Sequence, residues 1–365
     1  MRITKIQLGE CQIPLPRVLR LGPVEIRTRD YVVLRVETDS GIAGEAVGYS
    51  RGTPLLETLK KMAQRIVGAD VQMRREILFS LEQSNLPARA ALTRGLSMID
   101  IALWDIACKK AGMPLVELLG RLRKSAPVTM VAGYYVDQRS IPDVVDEVLA
   151  LADGGYQRVK IMLKGDDAGF DRKYVSAVAE KRPGYVAADA HWSWRTLTEA
   201  KRLCRDLDAM ELSFLEDPFS ASDISLTREL RSEMETPVAA GEDVFGAGVV
   251  ADLIGGIDIL RVDATTIGGI TGAIEAIGLA AGAGRTVLPH VFSPLHVHLA
   301  CAFPNVEGVE MIPSTAGADP IDRILRNLPS AQQGLLSPSE EPGAGIVVDW
   351  EAVGRLAQQS AIVTR

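Results

Sequence analysis

Between residues 126 and 330 the chain alternates short, almost wholly apolar runs with amphipathic stretches, eight times over. The runs are VTMVAGYY (128–135), RVKIML (158–163), YVAADA (185–190), LSFLED (212–217), PVAAGED (237–243), DILRVDA (258–264), TVLPH (286–290) and GVEMI (308–312). Near-continuous apolar strands are buried on both faces, which calls for a parallel sheet covered by helices. IPDVVDEVLALA, RKYVSAVAEK and LTEAKRLCRDL have the pattern of such helices. Eight units in about 200 residues fit a closed ring better than an open sheet. The expected fold is α/β, a modified TIM-like (β/α)8-type barrel over 126–330.

Residues 1–125 read as a separate small α+β domain. Ile3 to Leu8 and Tyr31 to Glu37 alternate as strands, and TDSGIAGEA (38–46) places Gly41 and Gly44 in a hairpin turn. Residues 55–120 read helical, with Leu96, Ile99, Leu103 and Ile106 on one face and Gly112-Met113-Pro114 as the stop. The last segment, 331–365, ends in a short strand and helix (IVVDWEAVGRLA) and is expected to pack back on the rest.

Composition narrows the class. Of 365 residues 47% are hydrophobic and 24% charged, which excludes a disordered chain. The net charge of -7, with no basic block, argues against nucleic acid or an anionic membrane as partner. Cys11, Cys108, Cys204 and Cys301 lie far apart with no C-x-x-C pair, as expected of thiols in a reducing compartment. No apolar run reaches signal-peptide or membrane-span length. The expectation is a cytoplasmic protein acting on a small molecule.

The active site of a barrel of this kind lies at the C-terminal mouth. Lys160, Asp189, Glu216, Glu242, Asp263, His290 and Glu310 end successive runs, each about one βα unit (roughly 20 to 30 residues) from the last. Asp189, Glu216 and Glu242 would converge from adjacent strands. Three carboxylates in one apolar pocket repel unless a cation neutralises them, and all-oxygen ligation suits Mg²⁺, or Mn²⁺. The alternative is three separate salt bridges or helix caps. Asp263 beside His290 makes a general-base pair, although a lone histidine after a strand is more often structural. Lys160, inside an apolar strand, needs an anionic partner or a depressed pKa; otherwise it snorkels at the rim. By alternation Lys160, Met162 and Lys164 share one face.

These residues resemble the enolase superfamily, and within it the mandelate racemase-like subgroup. The likeness spans essentially the whole chain. TDSGIAGEA and IDIALWDIACKKAGMPLVELLG are similar to signature segments of that family's N-terminal capping domain. VAADAHWSW, FLEDP and PVAAGED resemble its metal-ligand strands, DILRVDATTIGGIT and LPH its Asp–His strands, and VEMIP its eighth-strand Glu segment. The resemblance implies that Mg²⁺ binds a substrate carboxylate and a base removes the α-proton, giving an enediolate. It implies Asp189, Glu216 and Glu242 as metal ligands, His290 as base oriented by Asp263, Lys160 as enediolate stabiliser, and a protonated Glu310 donating to the substrate.

Two positions depart from the family. Met162 stands where the second Lys of a Lys-x-Lys motif would be the opposite-face base. Racemisation needs two bases and dehydration needs one, so a sugar-acid dehydratase is favoured. A racemase or epimerase using Lys164 with His290 remains open if a bulge brings Lys164 inward. A cycloisomerase and a non-catalytic sugar-acid binder also stay open. His191 stands where the family has Asn and would meet a substrate hydroxyl. Capping segments 15–30 and 46–54 imply Arg20 (with Arg17 and Arg27), Tyr49 and Arg51 as substrate contacts, with one of Tyr134 and Tyr135 facing the site. His296 and His298 read as structural. The family commonly forms homo-oligomers.

Overall fold

The computed structural model describes residues 1–83 and 89–364. Near the N-terminus β1 (Ile3–Leu21) and β2 (Val24–Thr38) form a long antiparallel hairpin, and β3 (Ala43–Tyr49) pairs with β2. The segment 15–30 is therefore not a loop but the far end of that hairpin, with Leu21 opposite Val24 at the tip. It stays ordered because Leu19 and Leu21 are buried against Val131, Tyr134 and Met162 of the barrel. The next turn holds Gly41, while Gly44 lies inside β3 opposite Val36. A side chain at Gly44 would place Cβ 2.0 Å from the Ala102 carbonyl oxygen, so sheet and helix meet there backbone to backbone.

Four helices follow: α1 (Leu55–Ile66), α2 (Arg74–Gln83), α3 (Arg89–Ala111) and α4 (Leu115–Leu119). Leu96, Ile99, Leu103 and Ile106 are buried along α3, as their spacing predicts.

The eight barrel strands fall on the eight apolar runs. They are β4 (Ala126–Ala132), β5 (Arg158–Met162), β6 (Val186–Asp189), β7 (Leu215–Glu216), β8 (Val238–Ala240), β9 (Ile259–Leu260), β10 (Thr286–Val287) and β11 (Val309–Met311). Neighbours pair in parallel in chain order, and β11 returns to β4. A parallel bridge from Val287 to Val306 joins β10 to the segment entering β11 and closes the ring. Between the strands run α5 (Ile141–Asp153), α6 (Ala168–Ala179), α7 (Leu197–Asp208), α8 (Ile224–Arg231), α9 (Ala247–Ile254), α10 (Gly269–Gly282) and α11 (Ser293–Ala302). Capping boxes start two of them, Ser140 with Asp143 and Thr196 with Glu199.

No α-helix follows β11 before Trp350; short 3-10 turns do, through a stretch broken by Pro313, Pro320, Pro329, Pro338 and Pro342. Proline removes the amide donor and clashes with the preceding turn, so the eighth helix of a regular (β/α)8 barrel does not form there. The chain then adds β12 (Leu335–Leu336) antiparallel to β4, α12 (Trp350–Leu356) and β13 (Ala357–Thr364), which pairs with β1. No helix among the described residues is long and apolar enough to cross a membrane.

Alternation along the strands sets the layers of the barrel. Ala188, Leu215, Ala240, Leu260 and Val287 join the main core. Ala187, Phe214, Ala239, Ile259 and Leu288 form a separate apolar layer. Two residues beyond four of these lie Asp189, Glu216, Arg261 and His290, so the same parity that builds this layer stacks a polar one above it.

Candidate functional site

The polar layer opens into a pocket of about 590 Å³. Lys160, Asp189, His191, Glu242, His290 and Glu310 form its floor; Leu21, Arg27 and Arg29 of the hairpin, Tyr49, Arg51 and Arg94 form its cover. Asp263 and Glu216 lie buried beneath.

Lys160 is at the centre of the floor, 3% exposed. Its Nζ lies 2.8 Å from Asp189 Oδ2, 3.0 Å from Glu216 Oε2 and 2.8 Å from Glu310 Oε2. Burial alone would favour the neutral amine, but these three carboxylates hold the ammonium well above its ordinary pKa. Arg261, fully buried, donates from Nε to Glu216 Oε1 at 2.9 Å and from Nη2 to Glu310 Oε2 at 2.5 Å. Burial works against ionised Glu310, yet Arg261 and Lys160 bring its pKa down to about 2. Glu310 is thus clamped by two cations, an arrangement that favours the carboxylate over the protonated donor that the resemblance implies. Arg261 was missed, although an arginine within DILRVDA is as anomalous as Lys160 within RVKIML.

His290 Nδ1 is 3.0 Å from Asp263 Oδ2, and Thr265 donates its amide to Asp263 Oδ1. Nε2 faces Glu242 Oε2 at 3.2 Å. Burial lowers the imidazole pKa, but Glu242 and Asp263 raise it more, so His290 ends above its ordinary value. Glu242 also meets Arg51 Nη1 at 3.1 Å. Regular alternation would turn Glu242 outward; Gly241, at φ 127°, breaks the parity there.

Glu216, Asp217 and Glu242 each offer a carboxylate oxygen within 4.8 Å of the others. Asp217 Oδ1 has no hydrogen-bond partner in the buried floor, and Glu216 Oε2 has only the Lys160 ammonium at 3.0 Å. Burial raises the Glu216 pKa to about 7, with the neighbouring acids adding to it. Hard, clustered, under-satisfied carboxylate oxygens fit a divalent cation. Asp189 stands beside them, bonded to Lys160 and to the His191 amide.

The other candidates divide. His191 lines the pocket with Nδ1 3.2 Å from Asp189 Oδ1, and burial, with Lys160 nearby, lowers its pKa to about 4. Tyr49 lines it against Phe292, and Arg51 lies over the Tyr49 and Trp192 rings. Tyr134 faces the pocket, while Tyr135 turns away and donates its hydroxyl to the Gly317 carbonyl.

Arg20 does not reach the pocket. It is 58% exposed on the hairpin, paired with Glu25 and Asp137. Lys164 does not reach it either: β5 ends at Met162 without a bulge, and Lys164 Nζ lies 3.5 Å from Asp166 and 3.7 Å from Asp167. Met162 occupies the wall instead. His296 and His298 are buried in α11, accepting from the Ala264 and Val116 amides.

Residues 143–353 match the Enolase C-terminal domain-like family, and residues 10–120 match the Mandelate racemase / muconate lactonizing enzyme, N-terminal domain. The fold and the site accordingly define an enzyme of the enolase superfamily. Within that class, the chain belongs to the mandelate racemase / muconate lactonizing enzyme family. It is similar to the L-talarate/galactarate dehydratase of Salmonella typhimurium, 28% identical over 284 residues, 75% of this chain and 70% of that protein. A D-galactonate dehydratase family member from Catenulispora acidiphila is 31% identical over 72% of this chain and 69% of its own. The crystal structure of L-talarate dehydratase from Polaromonas sp. JS666, complexed with Mg and L-glucarate, superposes with a TM-score of 0.89 at 25% identity, covering 100% of this chain and 99% of that one.

Proposed function

We propose that the chain is a Mg²⁺-dependent sugar-acid dehydratase. The observation that carries this reading is a single base: the Asp263–His290 pair lies on one side of the pocket, while Met162 lines the strand position of a second base and Lys164 points outward. The dehydratases of Salmonella, Catenulispora and Polaromonas support the same class. Asp189, Glu216 and Glu242 would hold the ion, which when bound supplies the concentrated positive charge that makes a proton α to a carboxylate removable.

His290 Nε2 takes that proton, and Asp263 holds Nδ1 so that Nε2 is the basic nitrogen. Lys160 presents its ammonium to the charge that develops on the substrate carboxylate. Glu310, itself held by Arg261, keeps Lys160 in place. The bond to the β-hydroxyl then breaks, and the imidazolium returns its proton to that oxygen, releasing water. The remaining enol tautomerises to a 2-keto-3-deoxy acid. One histidine on one face suffices for the whole sequence.

The test is incubation with a panel of sugar acids and Mg²⁺ in D₂O, followed by NMR. Keto-acid product supports the reading. Deuterium incorporation with inversion and no elimination would assign an epimerase instead, and tight binding without exchange a binder.

A further inference from the structure

We propose that Asp217 supplies a further ligand oxygen to the divalent-metal centre, beside Glu216 and Glu242. The inference rests on the reading of this site as a metal centre and adds a residue to it. Asp217 directly follows Glu216, which faces the barrel interior, so a regular strand would turn Asp217 toward the surrounding helices. The backbone does not continue as a strand. Asp217 sits at φ 41°, a left-handed conformation uncommon for a residue with a side chain. It is pinned there from two sides: its amide donates to the Ala239 carbonyl at 2.9 Å, and its carbonyl accepts from the Trp192 amide at 2.8 Å. The strained turn brings the carboxylate back within 4.8 Å of the Glu216 and Glu242 oxygens.

Its neighbours are matched with cations and Asp217 is not. Asp189 has Lys160; Glu216 has Lys160 and Arg261; Glu242 has Arg51 and His290; Asp243 has Arg51 and Arg94; Glu310 has Lys160 and Arg261. Asp217 makes no ion pair among the described residues, is 2% exposed, and leaves Oδ1 without a hydrogen-bond partner. A buried carboxylate held in a strained conformation against two others, with no cation of its own, is explained by a cation that the cluster takes up.

The experiment titrates the full-length chain with Mn²⁺, following free Mn²⁺ by its EPR signal, for wild type, Asp217→Asn and Asp243→Asn. The expected result is about tenfold or greater loss of Mn²⁺ affinity for Asp217→Asn, and a smaller effect for Asp243→Asn, whose carboxylate is already paired. Melting curves supply a second readout. Metal-free Asp217→Asn should melt at or above the wild-type temperature, because an unpaired buried carboxylate is gone, while the gain on saturating Mn²⁺ shrinks. If Asp217→Asn does not fold, Asp217→Ser is measured in the same way. Wild-type affinity in the variant overturns the assignment of Asp217 alone. A wild-type chain that binds no Mn²⁺ at millimolar concentration overturns the metal-centre reading, and this inference with it.

Discussion

His290 is the side chain whose removal separates chemistry from binding most cleanly. His290→Asn keeps the volume and a hydrogen-bonding edge toward Asp263 but has no basic nitrogen. Exchange of the substrate α-proton, read by NMR in D₂O, should fall below detection with the fold intact; normal turnover would show that the base lies elsewhere. Asp263→Asn acts on the same imidazole indirectly. Asp263 is one of the groups that raise the His290 pKa, so its loss lowers that pKa, and the neutral base persists to lower pH. The rising limb of the pH–rate profile therefore moves to lower pH, while the plateau drops on the order of a hundredfold as the tautomer is no longer held. Lys164→Met should change turnover less than about twofold, because the ammonium already pairs with Asp166 and Asp167. Total loss of activity would restore the two-base reading. Most of the floor residues could be singled out in the sequence because a charged or titratable group breaks an apolar run in or just after a strand; Arg261 and Asp217, which break such runs too, were not. The outward turn of Lys164 was not legible, because alternation counts only while the strand lasts, and β5 stops at Met162. Arg20 was not, because a charge on an extended hairpin carries no mark of which way it leans.

The junction of α3 with α10 ties the N-terminal layer to the barrel. Asp100, fully buried on α3, accepts from the Thr271 amide at 2.9 Å and the Thr271 hydroxyl at 2.7 Å, while Ser97 Oγ accepts from the Gly268 amide. One helix thus caps the start of another. The capped segment continues from the turn that holds Asp263 and Thr266, and Thr266 Oγ1 in turn donates to the Glu242 carbonyl. Asp100→Ala leaves the Thr271 amide unpaired and should cost about 1–3 kcal/mol in chemical denaturation. Burial raises the Asp100 pKa to about 6 against an ordinary 3.8. The folded state binds that proton more tightly than the unfolded chain. The stability contributed by the group is therefore full below about pH 4 and is lost as pH rises through 6, by roughly 3 kcal/mol at most. The stability gap between wild type and Asp100→Ala should accordingly narrow from pH 4 to pH 7. A gap that widened over this range would mean that Asp100 is ionised throughout. The barrel strands were readable as elements because burial on both faces leaves long apolar words. β13 was not: its residues alternate between exposed and half-buried, and its partner β1 lies at the opposite end of the sequence.

The molecule as a whole must carry a concentration of buried negative charge at its mouth. Asp189, Glu216, Asp217, Glu242, Asp263 and Glu310 are all buried, and among the described residues Lys160, Arg261 and Arg51 are the permanent cations in contact with them. Six acids against three bases leave an excess that burial makes costly, and burial is the first cause raising Asp189, Glu216 and Asp217. A divalent ion bound only by the folded chain offsets that excess and stabilises it by mass action, about 2.7 kcal/mol at a hundredfold excess over its Kd. Saturating Mg²⁺ should therefore raise the melting temperature by a few degrees, roughly 3–6 °C on the scaling for large domains, and EDTA should reverse the gain. The effect has a direction in pH as well. Metal competes with protons for the same oxygens, so the Mg²⁺-induced shift should be larger at pH 8 than at pH 5.5. A melting temperature indifferent to Mg²⁺ at both values would mean that protons alone neutralise the mouth, leaving a barrel of this architecture without the ion its proposed chemistry needs.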